Sequence, residues 1–163
     1  GTTFWIQLTL PHAAEASPAE SAPATGCADY ESLRGLRVLL AEDNHINQLI
    51  AKAVLENWGV EVCAVGNGTD ALAELSARHY DVAILDIRMP GLSGVEVTTA
   101  LRQLPDTKKA STPIIALTAN AFQSDRAAYL AAGMNACLTK PYDEADLCAL
   151  LLQLSSTRTA QLD

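Results

Sequence analysis

Five residues of this chain stand just after short apolar runs, and their types could do chemistry together. Glu42 and Asp43 follow Val38-Leu39-Leu40-Ala41, and Asp86 follows the run 82–85. Thr118 follows the run 114–117, and Lys140 stands two residues past the run 136–138, after Thr139. Carboxylates brought close together repel, so some must stay protonated or be neutralised. A divalent cation solves this, and hard oxygen ligands with open water positions suit Mg2+, which commonly takes one or two carboxylates plus phosphate oxygens. Lys140 offers a fixed positive charge to an anion, and Thr118 a hydroxyl donor. Together they describe a site for a phosphoryl group beside Mg2+, with the Asp86 carboxylate as nucleophile. Taken singly, each residue also has a plainer reading. Glu42 and Asp43 could be loop acids that favour the start of the next helix, Asp86 a turn residue before Met89-Pro90-Gly91, Thr118 a helix cap, and Lys140 a solvated side chain. Joint occurrence at four run ends is what favours the chemical reading.

The elements around these residues must bring them to one place. The runs 38–41, 60–65, 82–85, 114–117 and 136–138 read as buried strands. Between them lie helical patterns. Ile46, Leu49, Ile50, Ala53, Val54 and Trp58 recur at helical spacing after a capping Asn44, with Gly59 placed to end the helix. Asn67 can cap a second helix with Ala71, Leu72 and Leu75 on its apolar side. Helices are expected at 94–104 and 121–132, and Asp143 can cap a last one carrying Leu147, Leu150, Leu151 and Leu154. Five βα units imply an α/β fold, a three-layer sandwich with helices on both faces of a parallel sheet. The flavodoxin-like (βα)5 strand order 2-1-3-4-5 is the natural expectation. In such sheets the ligand site lies beyond the carboxyl ends of the strands, where the five residues stand.

The remaining sequence divides simply. Residues 1–11 alternate apolar and polar side chains up to Pro11 and read as one strand without its partners. Residues 12–34, rich in Ala, Pro, Ser and Glu, read as a flexible linker. The α/β unit spans 35–156, and 157–163 form a tail. Gly1-Thr2-Thr3 reads as a cut inside a longer protein. With 163 residues, 49% of them hydrophobic, the chain can build one domain with a real core. The net charge of −8 argues against nucleic acid as the main partner. No apolar run reaches the roughly 18 residues that span a bilayer, so this segment is expected to make no membrane contact. Cys27, Cys63, Cys137 and Cys148 match no metal or redox spacing and read as reduced thiols.

The segments Val38-Leu39-Leu40-Ala41-Glu42-Asp43-Asn44, Leu85-Asp86-Ile87-Arg88-Met89-Pro90, Ala116-Leu117-Thr118-Ala119-Asn120 and Leu138-Thr139-Lys140-Pro141 resemble, in order and spacing, the receiver domain of two-component response regulators. Glu42-Asp43-Asn44-His45-Ile46-Asn47-Gln48 is similar to the receivers of hybrid sensor histidine kinases. Gly1-Thr2-Thr3-Phe4-Trp5-Ile6 is similar to the last strand of the kinase ATP-binding domain. The resemblance implies that Asp86 takes a phosphoryl group from a phosphohistidine in a phosphorelay. Asp43, Asp86 and the backbone carbonyl of Arg88 would bind Mg2+, Glu42 would act through metal-bound water, and Thr118 and Lys140 would contact phosphate oxygens. The implied partners are the histidine kinase core of the same protein and a histidine phosphotransfer domain. The implied setting is a cytoplasmic domain, in a family where many parent kinases are anchored in the inner membrane. Such a domain promotes its own phosphorylation and dephosphorylation but turns over no separate substrate; the full-length parent would be the kinase.

Two positions depart from the family pattern. Cys137 stands where many receivers carry an aromatic switch residue, so the readout by that side chain is in doubt. Ser93-Gly94 replaces a common Asp-Gly, and Ser93 can still cap the third helix. One rival reading is a degenerate receiver that only docks partners, but no acid or lysine is missing. Another is a Mg2+-dependent aspartyl-phosphate phosphatase, whose second aspartate two residues after the nucleophile is here Arg88, a group that stays protonated. A flavin site would want a phosphate-cradling loop after strand 1, where Glu42 and Asp43 repel phosphate.

Overall fold

The apolar runs become strands because both faces of each find cover. Odd and even positions of one strand enter two different cores. Val38, Leu40, Ile84, Ile115 and Leu117 pack with Leu55, Leu147 and Leu151 on one side. Leu39, Ala41, Leu85, Ile114 and Ala116 pack with Leu75, Val97 and Leu101 on the other. In the computed structural model, which describes residues 30–119 and 123–159, the strands are β1 Arg37–Ala41, β2 Glu61–Val65, β3 Val82–Asp86, β4 Ile114–Thr118 and β5 Ala136–Thr139. They form one parallel sheet in the order β2-β1-β3-β4-β5. The helices are α1 His45–Asn57, α2 Gly68–Ala77, α3 Gly94–Arg102, the single turn α4 Thr107–Ala110, α5 Gln123–Ala131 and α6 Glu144–Thr159. The expected three-layer sandwich and strand order are what the chain adopts.

Local chemistry fixes the helix starts near the rim. The Asn44 side chain accepts from the backbone N–H groups of Ile46 and Asn47 at 3.0 and 3.3 Å, and Asn67 accepts from Asp70 at 2.8 Å. Ser93 and Glu96 form a reciprocal capping box at the start of α3. Gly94, the first residue of that helix, lies so close to β3 that a Cβ would sit 2.5 Å from the Asp86 carbonyl oxygen. Only glycine lets α3 begin there.

Three differences from expectation have physical causes. Residues 30–33, read as linker, form a 3-10 turn whose Leu33 is fully buried and whose Tyr30 ring stacks on Trp58, with centroids 5.4 Å apart. The folded unit thus takes in residues ahead of 35, and α6 runs to Thr159, past the expected end at 156. The inward face of α1 carries Ala51, Leu55 and Trp58, while Ile46 and Ile50 are 67% and 60% exposed. Period 3.6 marked an apolar stripe, but α1 has two. Finally, α4 is a turn the sequence did not announce; Asp106 caps it, and Lys109 Nζ donates to the Ser76 carbonyl at 2.6 Å. The expected strand at 1–11, most of the linker and the expected start of the fourth helix at Ala121 lie outside the described residues.

Candidate functional site

Strand register gathers the site. Ala41 pairs with Leu85, which sets Glu42 level with Asp86. Asp86 pairs with Leu117, which sets Thr118 one step beyond it. Thr118 pairs with Thr139, and the backbone N–H of Lys140 donates to the Thr118 carbonyl at 2.7 Å. Four strand ends therefore deliver Glu42, Asp86, Thr118 and Lys140 to one rim, with Asp43 beside Glu42.

The charges there are in contact. Carboxylate oxygens of Glu42, Asp43 and Asp86 all lie within 4.8 Å of one another. Glu42 is 2% exposed and Asp86 is buried, while Asp43 faces solvent. The Lys140 ammonium ion-pairs with Asp86 at 2.5 Å and also with Glu42. Burial works to lower the pKa of Lys140, but the hydrogen bonds to Asp86 and Glu42 outweigh it and the net shift is upward. Burial first, then the Glu42 charge, pushes the nearby Tyr142 phenol up, and Lys140 opposes this. Ionised, the three acids carry three negative charges against the single positive charge of Lys140. The balance of minus two suits a divalent cation, and an all-oxygen donor set with one solvent-facing member suits a hard ion that keeps water ligands.

Asp86 is held in position from its own loop. Its Oδ1 accepts the backbone N–H of Arg88 at 3.0 Å, which leaves Oδ2 to Lys140. Beside it, Ile87, Arg88, Thr118, Ala119 and Tyr129 line a partly open cavity of about 100 Å³ with Asp86 on its wall. The sequence reading missed two supporting residues. Asn47 Nδ2 donates to Glu42 Oε1 at 3.1 Å, fixing the buried acid. Gln48 Nε2 donates to the carbonyls of Val65 and Glu42 at 2.8 and 3.2 Å, tying α1 to β2 and the β1 loop. Their signal was available: amides one turn into the helix that follows an acid pair. Among the described cysteines, Cys63, Cys137 and Cys148 are not in disulfides, and burial pushes the pKa of the Cys137 thiol up, an effect Arg126 opposes.

The family profile of the response regulator receiver domain matches residues 38–152. The chain belongs to that family. Among similar proteins of this receiver, the sensor histidine kinase GacS of Pseudomonas protegens is 35% identical over 147 residues, which are 90% of this chain but 15% of the kinase. Among solved structures, the receiver domain of sensor histidine kinase PA1611 from Pseudomonas aeruginosa is 38% identical with a TM-score of 0.69, covering 75% of this chain and 98% of that one. That domain has a magnesium ion coordinated in its active-site cleft. The receiver domain of Ssk1 from Saccharomyces cerevisiae, crystallised with the histidine phosphotransfer protein Ypd1, gives a TM-score of 0.72 at 27% identity over 77% of this chain and 92% of the other. The work of such a receiver is phosphorelay signal transduction. No helix among the described residues is long and apolar enough to cross a membrane.

Proposed function

We propose that Asp86 is the phosphoacceptor of this receiver and that the parent protein is a hybrid sensor histidine kinase. The observation that carries the reading is the joint placement of Asp86, Glu42 and Asp43 around the Lys140 ammonium. An Asp86 oxygen attacks the phosphorus of a phosphohistidine, the P–N bond breaks, and the imidazole leaves with the electron pair. Charge in such a transfer spreads over the phosphoryl oxygens, so catalysis is positioning and electrostatics. Asp43, Asp86 and the Arg88 carbonyl would hold Mg2+, with Glu42 reaching it through water; bound there, the ion supplies neutralising charge. Lys140 exchanges its carboxylate partners for phosphoryl oxygens, and Thr118 donates its hydroxyl to another. The Arg88 N–H keeps the Asp86 carboxylate oriented throughout.

The same reading gives the partners. Ile46, Leu49 and Ile50 form an exposed apolar row on α1, bordering a groove lined by Glu42, Val54, Lys140 and Tyr142. A helix that presents a phosphohistidine can bury its own apolar stripe there and bring the imidazole to Asp86. The Ypd1 complex of a similar receiver supports a histidine phosphotransfer protein as one partner. The kinase core is the other, with residues 1–11 as the last strand of its ATP-binding domain and a linker between. In that reading the receiver lies on the cytoplasmic side, where the kinase draws on ATP.

The test is intact mass after incubation with a small phosphodonor. The wild type gains one phosphoryl group only with Mg2+, and Asp86→Asn gains none. An Asp86→Asn protein that gains it as the wild type does refutes the assignment.

A further inference from the structure

The cavity beside Asp86 has an unusual wall. Asp86, Thr118 and Arg88 are among its polar lining residues, and Tyr129, which comes from α5, lines it with them. At about 100 Å³ it exceeds the roughly 10–15 Å³ that a single water needs, so side chains around it have room to repack. Tyr129 is partly buried and packs on the same core cluster as Cys137, Met134 and Ile87. Cys137 points into that cluster from β5 but does not line the cavity. Among the described residues that line the cavity, the aromatic side chain, and the one contributed by a helix, is therefore Tyr129.

We infer that Tyr129 is the readout residue of this receiver, transmitting the state of Asp86 to α5 through this cavity. The inference rests on Asp86 being the phosphoacceptor. A phosphoryl group adds about −1.5 to −2 charge and strong acceptor oxygens. These oxygens draw the Thr118 hydroxyl toward Asp86. That displacement changes the space Tyr129 faces, because close-packed groups move between discrete arrangements rather than deforming smoothly. The ring then shifts into the vacated volume and carries the α5 backbone with it. The Tyr129 carbonyl accepts from Met134, the buried residue that leads into β5, at 3.1 Å. Motion of Tyr129 thereby reaches the α5–β5 connection as well as the exposed side of α5, where Leu130 faces solvent. The switch would use an aromatic on a helix where Cys137 leaves none on the strand.

The chain has four tyrosines, Tyr30, Tyr80, Tyr129 and Tyr142, so the test is fluorine NMR on full-chain protein labelled with 3-fluorotyrosine. Single Tyr→Phe variants assign the four resonances. Beryllofluoride with Mg2+ serves as a stable stand-in for the phosphoryl group. The expected result is a shift of the Tyr129 resonance, with Tyr30 and Tyr80 unmoved. In a second arm, Tyr129→Ala still gains a phosphoryl group, but its hydrogen exchange in α5 and β5 no longer responds. A formed beryllofluoride complex with Tyr129 unmoved overturns the inference and leaves the assignment of Asp86 standing. An unchanged exchange response in Tyr129→Ala overturns it in the same way. Failure of beryllofluoride to bind, with no phosphoryl gain by the wild type, overturns both.

Discussion

At the scale of residues, Lys140 keeps two buried acids compatible with one another. It ion-pairs with Glu42 and Asp86 together. Lys140→Ala leaves both carboxylates facing across the rim without their cation, and stability at neutral pH should fall by about 1–3 kcal/mol. Added Mg2+ should narrow the gap between variant and wild type, since the ion occupies the same negative field. The pH dependence has a definite sign. The folded pKa of Lys140 is raised, so its contribution is fully present below the unfolded value of about 10.4 and is lost as pH rises through the higher folded value. Thermal melts of both proteins from pH 7 to 11 should show a constant gap that closes only at the alkaline end. The pairing with Glu42 could not be read in advance, because sequence gives the ends of strands but not which charges meet when no anion is bound.

At the scale of elements, the start of α3 decides how the Asp86 loop is held. Gly94 N–H donates to the Ile87 carbonyl at 3.1 Å, and the Ser93–Glu96 capping box fixes the first turn just beyond. Ser93→Ala should cost about 1 kcal/mol at pH 7, measured by denaturant unfolding. The hydrogen bond from the Ser93 hydroxyl, then that from its backbone N–H, lowers the pKa of Glu96. The box therefore stabilises above the unfolded carboxylate value of about 4.3 and loses this as pH falls through the lower folded value. The penalty of Ser93→Ala should shrink accordingly in acid. That Ser93 could cap was legible from its place before the helix. The packing of α1 was not. Ile46 and Ile50 share one face at i, i+4 spacing, and Ala51, Leu55 and Trp58 share another; periodicity finds both stripes, and only tertiary contact says which one the sheet covers.

At the scale of the whole molecule, sequence carried the sheet and its rim far better than its edges. The five strands were legible because their apolar runs are short, continuous and bounded, and the fold rule then placed Glu42, Asp86, Thr118 and Lys140 at one end. The boundary at the front was harder. Tyr30–Leu33 has no periodic pattern, yet Leu33 enters the core that α1 and α6 share. Leu33→Ala should cost about 2–5 kcal/mol, as loss of a buried leucine commonly does. Urea unfolding measures this, and a loss within 0.5 kcal/mol would place the segment outside the cooperative unit. Asn47 and Gln48 were visible as residues but not as supports, since their roles depend on how α1 leans over β1 and β2.

The most direct measurement locates the phosphoryl group itself. The protein is phosphorylated by a small phosphodonor with Mg2+, the acyl phosphate is reduced with borohydride, and the altered residue is mapped by peptide mass spectrometry. The structure predicts modification at Asp86 alone. Modification at Glu42 or Asp43, or a phosphorylated protein with none at Asp86, would contradict it.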